Sequence, residues 1–361
     1  MTSSPIIILT GGGTAGHVSL NQAIIPPLKN MGYDVHYIGS RDGIEKKLIE
    51  DSFPGLPYHE IRSGKLRRYF SMKNFTDPFK VGAGVLQAYR LIRKLRPELI
   101  FSKGGFVSVP VILAGRMAGI PVVIHESDVT PGLANKLAMP FADHVFTVFP
   151  ETVPHVKKAE ATCSGPVIRP ELFEGSKEAG LRLAGLSGKR PVLLVMGGSQ
   201  GSAVLNEAVR SQLPALLRTM DVIHLCGQGH LDRTLDGTEG YAQFEYVTGG
   251  LKDLLKAADG VVSRAGSNSI FEFLALRLPM LLIPLSAEKS RGDQILNARL
   301  FAKAGFAEVL EEERVTGESF LEAVGKLNSN TQRMILSMEK AEAPKTPEEM
   351  AELILRHSSS S

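Results

Sequence analysis

In the first half of the chain, short apolar runs rich in β-branched residues ("IIILT", "DVHYIGS", "LIFSKG", "PVVIHES", "HVFTVF") alternate with longer stretches of helical period such as "NQAIIPPLKNMG" and "VPVILAGRMAGI". Runs too short for helices, each followed by an amphipathic segment, predict βαβ units and a mostly parallel sheet. The second half repeats this grammar with "RPVLLVMGG", "MDVIHLCG", "FEYVTG", "GVVSRAG" and "PMLLIPLS". The pattern therefore predicts two α/β domains, each opening with a strand and a glycine turn. Between them, "CSGPVIRPELF" carries Pro166 and Pro170. Proline holds itself and its predecessor out of a helix, so the linker falls there. The boundaries read as 1–165 and 166–345, with 346–361 a terminal helix and tail. Thr346 is placed to cap that helix, with Pro347 at its first position and Glu349 completing a capping box, and the closing serines read as flexible.

Composition changes the picture little. A chain of 361 residues exceeds what one core serves, and 43% hydrophobic with 22% charged residues is ordinary globular usage. Cys163 and Cys226, with no C-x-x-C spacing, imply neither a disulfide framework nor a zinc site. The opening residues lack the basic region of a signal peptide, and the most apolar later stretch, Val107 to Ile124, is broken by Arg116, so no membrane span is expected. Charge is uneven: residues 1–165 hold 19 Lys and Arg against 13 Asp and Glu, so this half is suited to an anionic partner.

The glycines carry the chemistry. Gly11, Gly13 and Gly16 satisfy G-x-G-x-x-G after a strand, the dinucleotide fingerprint, and Arg41 beside Ser40 and Asp42 allows an NADP-dependent oxidoreductase. A single dinucleotide site has no need of the second turn, "VMGGSQGS", whose small residues and following helix suit another anion. In "SRAGSNSIFEFLALRLP", a strand ends at Arg264–Ala265–Gly266, and Ser267, Asn268 and Ser269 open a helix whose first amides would meet a diphosphate. Glu272, three residues beyond Ser269, is placed to accept both hydroxyls of a ribose, or else simply favours the helix dipole.

Taken together, the glycine loop with its His, "GGSQG", "SRAGSNSIFEFLALRLP", "SRGDQILNA", "FSKGGFVSVP" and "HESDVTPGLANK" resemble the MurG family over nearly the whole chain. That resemblance implies two Rossmann-like parallel-sheet domains facing a cleft, the GT-B arrangement. It implies transfer of GlcNAc from UDP-GlcNAc to the MurNAc C4 hydroxyl of lipid I, giving lipid II, with inversion. UDP-GlcNAc would sit mainly on the C-terminal domain. Ser199 and the amides of Ser267, Asn268, Ser269 and Ile270 would contact the diphosphate, Glu272 the ribose, backbone near Val247 the uracil, and Gln294 the GlcNAc hydroxyls. Arg169 would lie near the diphosphate, and Thr14, Ala15 and Gly16 would reach the donor from the other domain. No cofactor is implied, and with no D-x-D pair after a strand no metal is expected.

Transfer needs a base for the acceptor hydroxyl. His17 stands at a helix start, where the dipole keeps an imidazole neutral and able to take a proton. Glu126 and Asp128, after a strand in "IHESDVTPG", are the rival candidates; part of the family has Asn where Asp128 stands. Between Arg62 and Arg96, ten Lys and Arg accompany one acid and several aromatics, which suits an anionic membrane surface, and no nucleic-acid module accompanies them. The expected location is peripheral, at the cytoplasmic side of the cell membrane. A UDP-GlcNAc 2-epimerase of the same fold is the second enzyme class, and a non-catalytic sugar-nucleotide sensor the third.

Overall fold

The structure is a computed structural model describing residues 4–63, 77–198, 200–247, 249–288, 290 and 292–358. Ser199 and residues 64–76 of the basic, aromatic stretch after Arg62 lie outside the described residues. The chain divides into two compact units, 1–169 with 345–361, and 170–344. The division falls a few residues later than the sequence boundary, and the terminal helix, set apart in that reading, belongs to the first unit.

Among the described residues, the first unit holds a seven-stranded sheet in the order β3-β2-β1-β4-β5-β6-β7, parallel throughout. Its strands are β1 (Ile6–Thr10), β2 (Asp34–Ser40), β3 (Tyr58–Ile61), β4 (Leu99–Ser102), β5 (Val122–Glu126), β6 (His144–Thr147) and β7 (Glu160–Cys163). The central strands are sealed on both faces, which is why they read as unbroken apolar runs. Ile7, Leu9, Phe101 and Val123 enter one core and Ile8, Ile100, Val122 and Ile124 the other.

The second unit repeats the winding as β10-β9-β8-β11-β12-β13, again parallel. Here the strands are β8 (Val192–Met196), β9 (Asp221–Leu225), β10 (Tyr241–Phe244), β11 (Gly260–Ser263), β12 (Met280–Leu282) and β13 (Ala307–Val309). The expected strand over "FEYVTG" is displaced: β10 ends at Phe244, so Val247 lies in the loop beyond it.

Strand order fixes where each unit binds. In a doubly wound sheet, neighbouring chains leave β1 and β4 in opposite directions, opening a crevice beyond their carboxyl ends. Thr10 pairs with Ser102 at that end of the first sheet, and Met196 with Ser263 at the equivalent end of the second. Each glycine turn singled out in the sequence lies just past one of these residues.

The terminal helix Pro347–Leu355 has the expected capping box, Thr346 Oγ1 accepting from Glu349 N at 3.2 Å and Thr346 N donating to Glu349 Oε2 at 2.7 Å. Its buried face, Met350, Ala351 and Ile354, joins Leu20, Ile24, Ile25 and Leu28 of the helix Gly16–Asn30 in one core. Beside it the departing and returning segments pair, Ile168 N donating to Lys345 O at 3.0 Å and Lys345 N to Pro166 O at 2.9 Å.

Candidate active site

In the first unit, β1 runs into Gly11–Ala15 and the helix Gly16–Asn30, placing His17 in the first helical turn. His17 is half-buried, and Thr14 and Ala15 are exposed on the loop before it. The ring has a defined partner: Nδ1 lies 2.9 Å from the carbonyl oxygen of Gly12. A carbonyl only accepts, so Nδ1 carries the hydrogen and the neutral ring presents its lone pair at Nε2.

That loop does not present the amides of a dinucleotide cradle. Gly12 N donates to Gly104 O at 3.1 Å, and Gly13 N to the buried carboxylate of Glu45 at 3.1 Å. A pyrophosphate seated there would meet protein acceptors and a like charge, which counts against the NADP-dependent reading. The facing loop after β4 crowds the same backbone. A Cβ on Gly105, whose φ is +91°, would lie 2.1 Å from Gly12 O, so only glycine permits this approach.

Glu126, at the end of β5, is buried and engaged by three N–H donors. Oε1 accepts from Asp128 N at 3.0 Å, and Oε2 accepts from Gly132 N at 3.0 Å and Asn135 Nδ2 at 2.9 Å. Burial, then the Asp128 charge, pushes its carboxyl up while these N–H donors oppose the shift. Its geometry is that of a brace folding residues 127–132. Asp128 is half-buried on the braced loop, leaving it the rival to His17.

Lys103, after β4, had no role in the sequence reading. Its Nζ, sealed from solvent, donates to His125 Nδ1 at 2.8 Å and to Ser127 Oγ. Burial lowers its ammonium to about 8 against the opposing charges of Glu126 and Asp128, and burial with the Lys103 charge pushes His125 well down. Three consecutive residues, His125 to Ser127, are thus fixed from below.

In the second unit, the helix Ser267–Ala275 starts from Gly266, a residue with no side chain to cap it. By helix geometry, the first amides of a helix lie at the positive end of its dipole, so Ser267, Asn268 and Ser269 stand where an anion is favoured. Ile270 does not belong with them. Its N–H closes the first helical bond on Gly266 O at 3.1 Å, and its side chain is fully buried. Glu272 is half-buried further along this helix. Gln294, near the start of the helix Asp293–Lys303, accepts from Leu285 N at 3.1 Å through Oε1, which leaves its two N–H donors for a ligand oxygen. Arg169 is exposed at the last position of the first unit.

A buried guanidinium holds these turns together. Arg264 Nη2 donates to Ser202 Oγ and Glu312 Oε1, each at 2.6 Å, and Nη1 to Ile283 O at 3.0 Å. The second oxygen of Glu312 accepts from Ser286 N at 3.1 Å. One ion pair therefore joins the turn after β8, the turn after β11, the segment after β12 and the short helix Glu312–Arg314. In the sequence, Glu312 sits in "EEER" and reads as solvated charge; Arg264 is legible only as a strand end.

Among the described residues, no three His, Cys, Asp or Glu side chains converge as a metal-binding group, and no helix is long and apolar enough to cross a membrane.

Residues 7–147 match the glycosyltransferase family 28 N-terminal domain and residues 192–354 its C-terminal domain. A UDP-N-acetylglucosamine–N-acetylmuramyl-(pentapeptide) pyrophosphoryl-undecaprenol N-acetylglucosamine transferase of Geobacillus thermodenitrificans is 58% identical over 335 residues, covering 93% of this chain and 94% of that protein. A protein of the same name from Clostridium botulinum is 50% identical over 351 residues, covering 97% and 99%. Among solved structures, Acinetobacter baumannii MurG superposes with a TM-score of 0.78 at 22% identity, covering 98% of this chain and 99% of that one. The calicheamicin glycosyltransferase gives 0.68 at 14% identity, covering 99% of each.

Proposed function

The chain belongs to the MurG family, within glycosyltransferase family 28, and on that premise we propose that it transfers GlcNAc from UDP-GlcNAc to the C4 hydroxyl of MurNAc in lipid I, giving lipid II. The observation that carries the donor half is the start of Ser267–Ala275 just past β11, at the crevice where a doubly wound sheet takes its ligand. The diphosphate lies on the amides of Ser267, Asn268 and Ser269, and Ser199 is a further contact for it. Glu272 accepts from the ribose hydroxyls, backbone at Val247 meets the uracil, and the amide of Gln294 donates to GlcNAc.

In the reaction the acceptor oxygen attacks the anomeric carbon of GlcNAc, and the bond from that carbon to the UDP oxygen breaks with its electron pair leaving on UDP. The hydroxyl proton passes to His17 Nε2. One displacement inverts the anomeric centre, so no covalent enzyme intermediate forms. The helix start and Arg169 take the charge that develops on the leaving phosphate. His17 is preferred to Asp128 because the Gly12 carbonyl already fixes its tautomer. Thr14, Ala15 and Gly16 orient the donor from the His17 loop.

The acceptor carries a polyprenyl tail, so the protein works at the cytoplasmic face of the membrane as a peripheral protein. Support comes from Met117, Leu133, Leu137 and Phe141, large apolar side chains left exposed on adjoining elements of the first unit beside Arg116 and Lys136. Rings and aliphatic chains enter the headgroup boundary while cations meet anionic lipid, at about 1 kcal/mol each.

The test is incubation with labelled UDP-GlcNAc and a lipid I analogue. Expected is acceptor-dependent release of UDP with label in the lipid. Conversion of UDP-GlcNAc without acceptor would instead make the protein an epimerase, and UDP-GlcNAc binding with no UDP release would make it a sensor. His17→Ala is expected to lower kcat by ~100-fold or more while UDP affinity holds.

A further inference from the structure

We propose that Glu45 is a positioning residue for His17, acting through the one peptide group that joins Gly12 to Gly13. This deepens the reading of His17 as the proton acceptor and rests on it. The carbonyl of that peptide accepts from His17 Nδ1 at 2.9 Å, and its N–H donates to Glu45 Oε2 at 3.1 Å. A carboxylate and an imidazole thus face opposite ends of a single amide.

Two consequences follow from amide chemistry. The first concerns orientation. Were the peptide flipped, its carbonyl would face the carboxylate and its N–H would face Nδ1, selecting the opposite tautomer with the lone pair at Nδ1. Glu45 excludes the flip by repulsion between acceptors, and so decides which ring nitrogen takes the proton. The second concerns strength. The amide is one conjugated unit, so accepting from its N–H drives electron density onto its oxygen. That oxygen becomes a better acceptor for Nδ1–H, most of all when the ring turns cationic on receiving the acceptor's proton.

The surroundings are built around this carboxylate. Glu45 is 1% exposed, and its other oxygen is held by Ser40 N at 3.0 Å and by Ser40 Oγ. Gly12 and Gly43 make its room: an added Cβ would lie 2.4 Å from the carboxyl carbon at Gly12 and 2.3 Å from it at Gly43. The preceding peptide is fixed as well, Gly12 N donating to Gly104 O at 3.1 Å. The other titratable groups facing this pocket are Tyr37 and Tyr58, whose hydroxyls burial keeps protonated; they donate to Gly11 O and Ser40 O, each an acceptor on the same two loops. Lys103 flanks the loop at Gly11 through its Cβ.

Glu45→Gln offers one acceptor oxygen where Gly13 N–H and Ser40 N–H require two. Expected is a ~10-fold fall in kcat, a KM for UDP-GlcNAc unchanged within about twofold, and a downward move of about one pH unit in the acidic limb of kcat/KM. Glu45→Asp should recover part of the rate. In a His17→Ala background the same change should lower the rate no further. Equal losses in both backgrounds, or an unmoved limb, would reduce Glu45 to scaffold and overturn the proposal. If His17→Ala keeps its rate, the base assignment fails by itself, and NMR of the unmutated protein still decides the coupling. There the Gly13 amide proton must shift as His17 titrates and Nδ1 must stay protonated throughout; a flat Gly13 signal sinks the proposal. That measurement also stands if Glu45→Gln does not fold.

Discussion

Replacing Glu312 with alanine strips the partner from a guanidinium that is itself sealed from water. The two side chains are 10% and 4% exposed for Arg264 and Glu312, and their closest atoms are 2.6 Å apart. Alanine leaves Arg264 with Ser202 and backbone carbonyls but no counter-charge, and leaves Ser286 N without its acceptor. An uncompensated buried charge costs about 3–5 kcal/mol. In a unit of the size of 170–344, each kcal/mol lowers the melting midpoint by about 2–4 °C, so a fall of roughly 10 °C is expected. Because the same guanidinium ties the turn after β8 to the turn after β11, UDP affinity should drop with stability, by about tenfold. The assays are urea unfolding with its slope checked for constancy, and calorimetric titration with UDP. A double replacement, Arg264→Met with Glu312→Leu, removes both charges together. It should unfold later than Glu312→Ala yet still bind UDP weakly, since the turns have lost their tie. If Glu312→Ala costs under about 1 kcal/mol, or the double replacement is no more stable than the single, the buried-charge reasoning is wrong.

Other predictions follow from the same kind of reading. Gly105→Ala forces a Cβ against Gly12 O in a left-handed conformation, so it should displace the His17 loop, lowering kcat while UDP binding on the other unit stays intact; steady-state kinetics with calorimetry separates the two. Lys103 titrates at about 8 in the folded chain against 10.5 in the unfolded one. Between those values the unfolded state binds the extra proton, so stability should rise with pH through this window, by about 3 kcal/mol at most; Lys103→Met should flatten that rise in urea unfolding measured across pH. Ile354→Ala opens a void under the terminal helix and should destabilise the first unit by about 2–5 kcal/mol, read from denaturant midpoints. Phe141→Glu with Leu137→Glu should weaken co-sedimentation with anionic vesicles while leaving transfer to a soluble acceptor analogue unchanged.

The strands legible in the sequence were the central ones. β1, β4, β5, β8 and β11 are covered on both faces, so burial demands an unbroken apolar run. β3 ("YHEI"), β7 ("EATC") and β13 ("AEV") carry no such signal because each is a short strand at a sheet edge with one neighbour. Such strands owe their existence to backbone bonds offered by a neighbour. At the site, glycine turns announced themselves because their composition is local. Glu126 shows the opposite: a carboxylate after a strand reads as a candidate base, and only the fold shows the three N–H donors bonded to it. Ile270 was grouped with its neighbours by position, yet helix geometry turns its amide inward.

By itself the sequence determined the two α/β units, the turns that end their inner strands, the cap of the terminal helix and the family to which the whole belongs. These depend on residues a few positions apart, where periodicity and backbone preference act. Only the tertiary structure decided that Glu45 reaches the His17 loop, that Lys103 lies beneath the loop of Asp128, and that Arg264 finds Glu312. Such pairs are remote in sequence, and each member looks like ordinary surface charge. Burial supplies the low dielectric that turns them into fixed electrostatic partners, and burial is a property of the assembled sheet rather than of any segment in it.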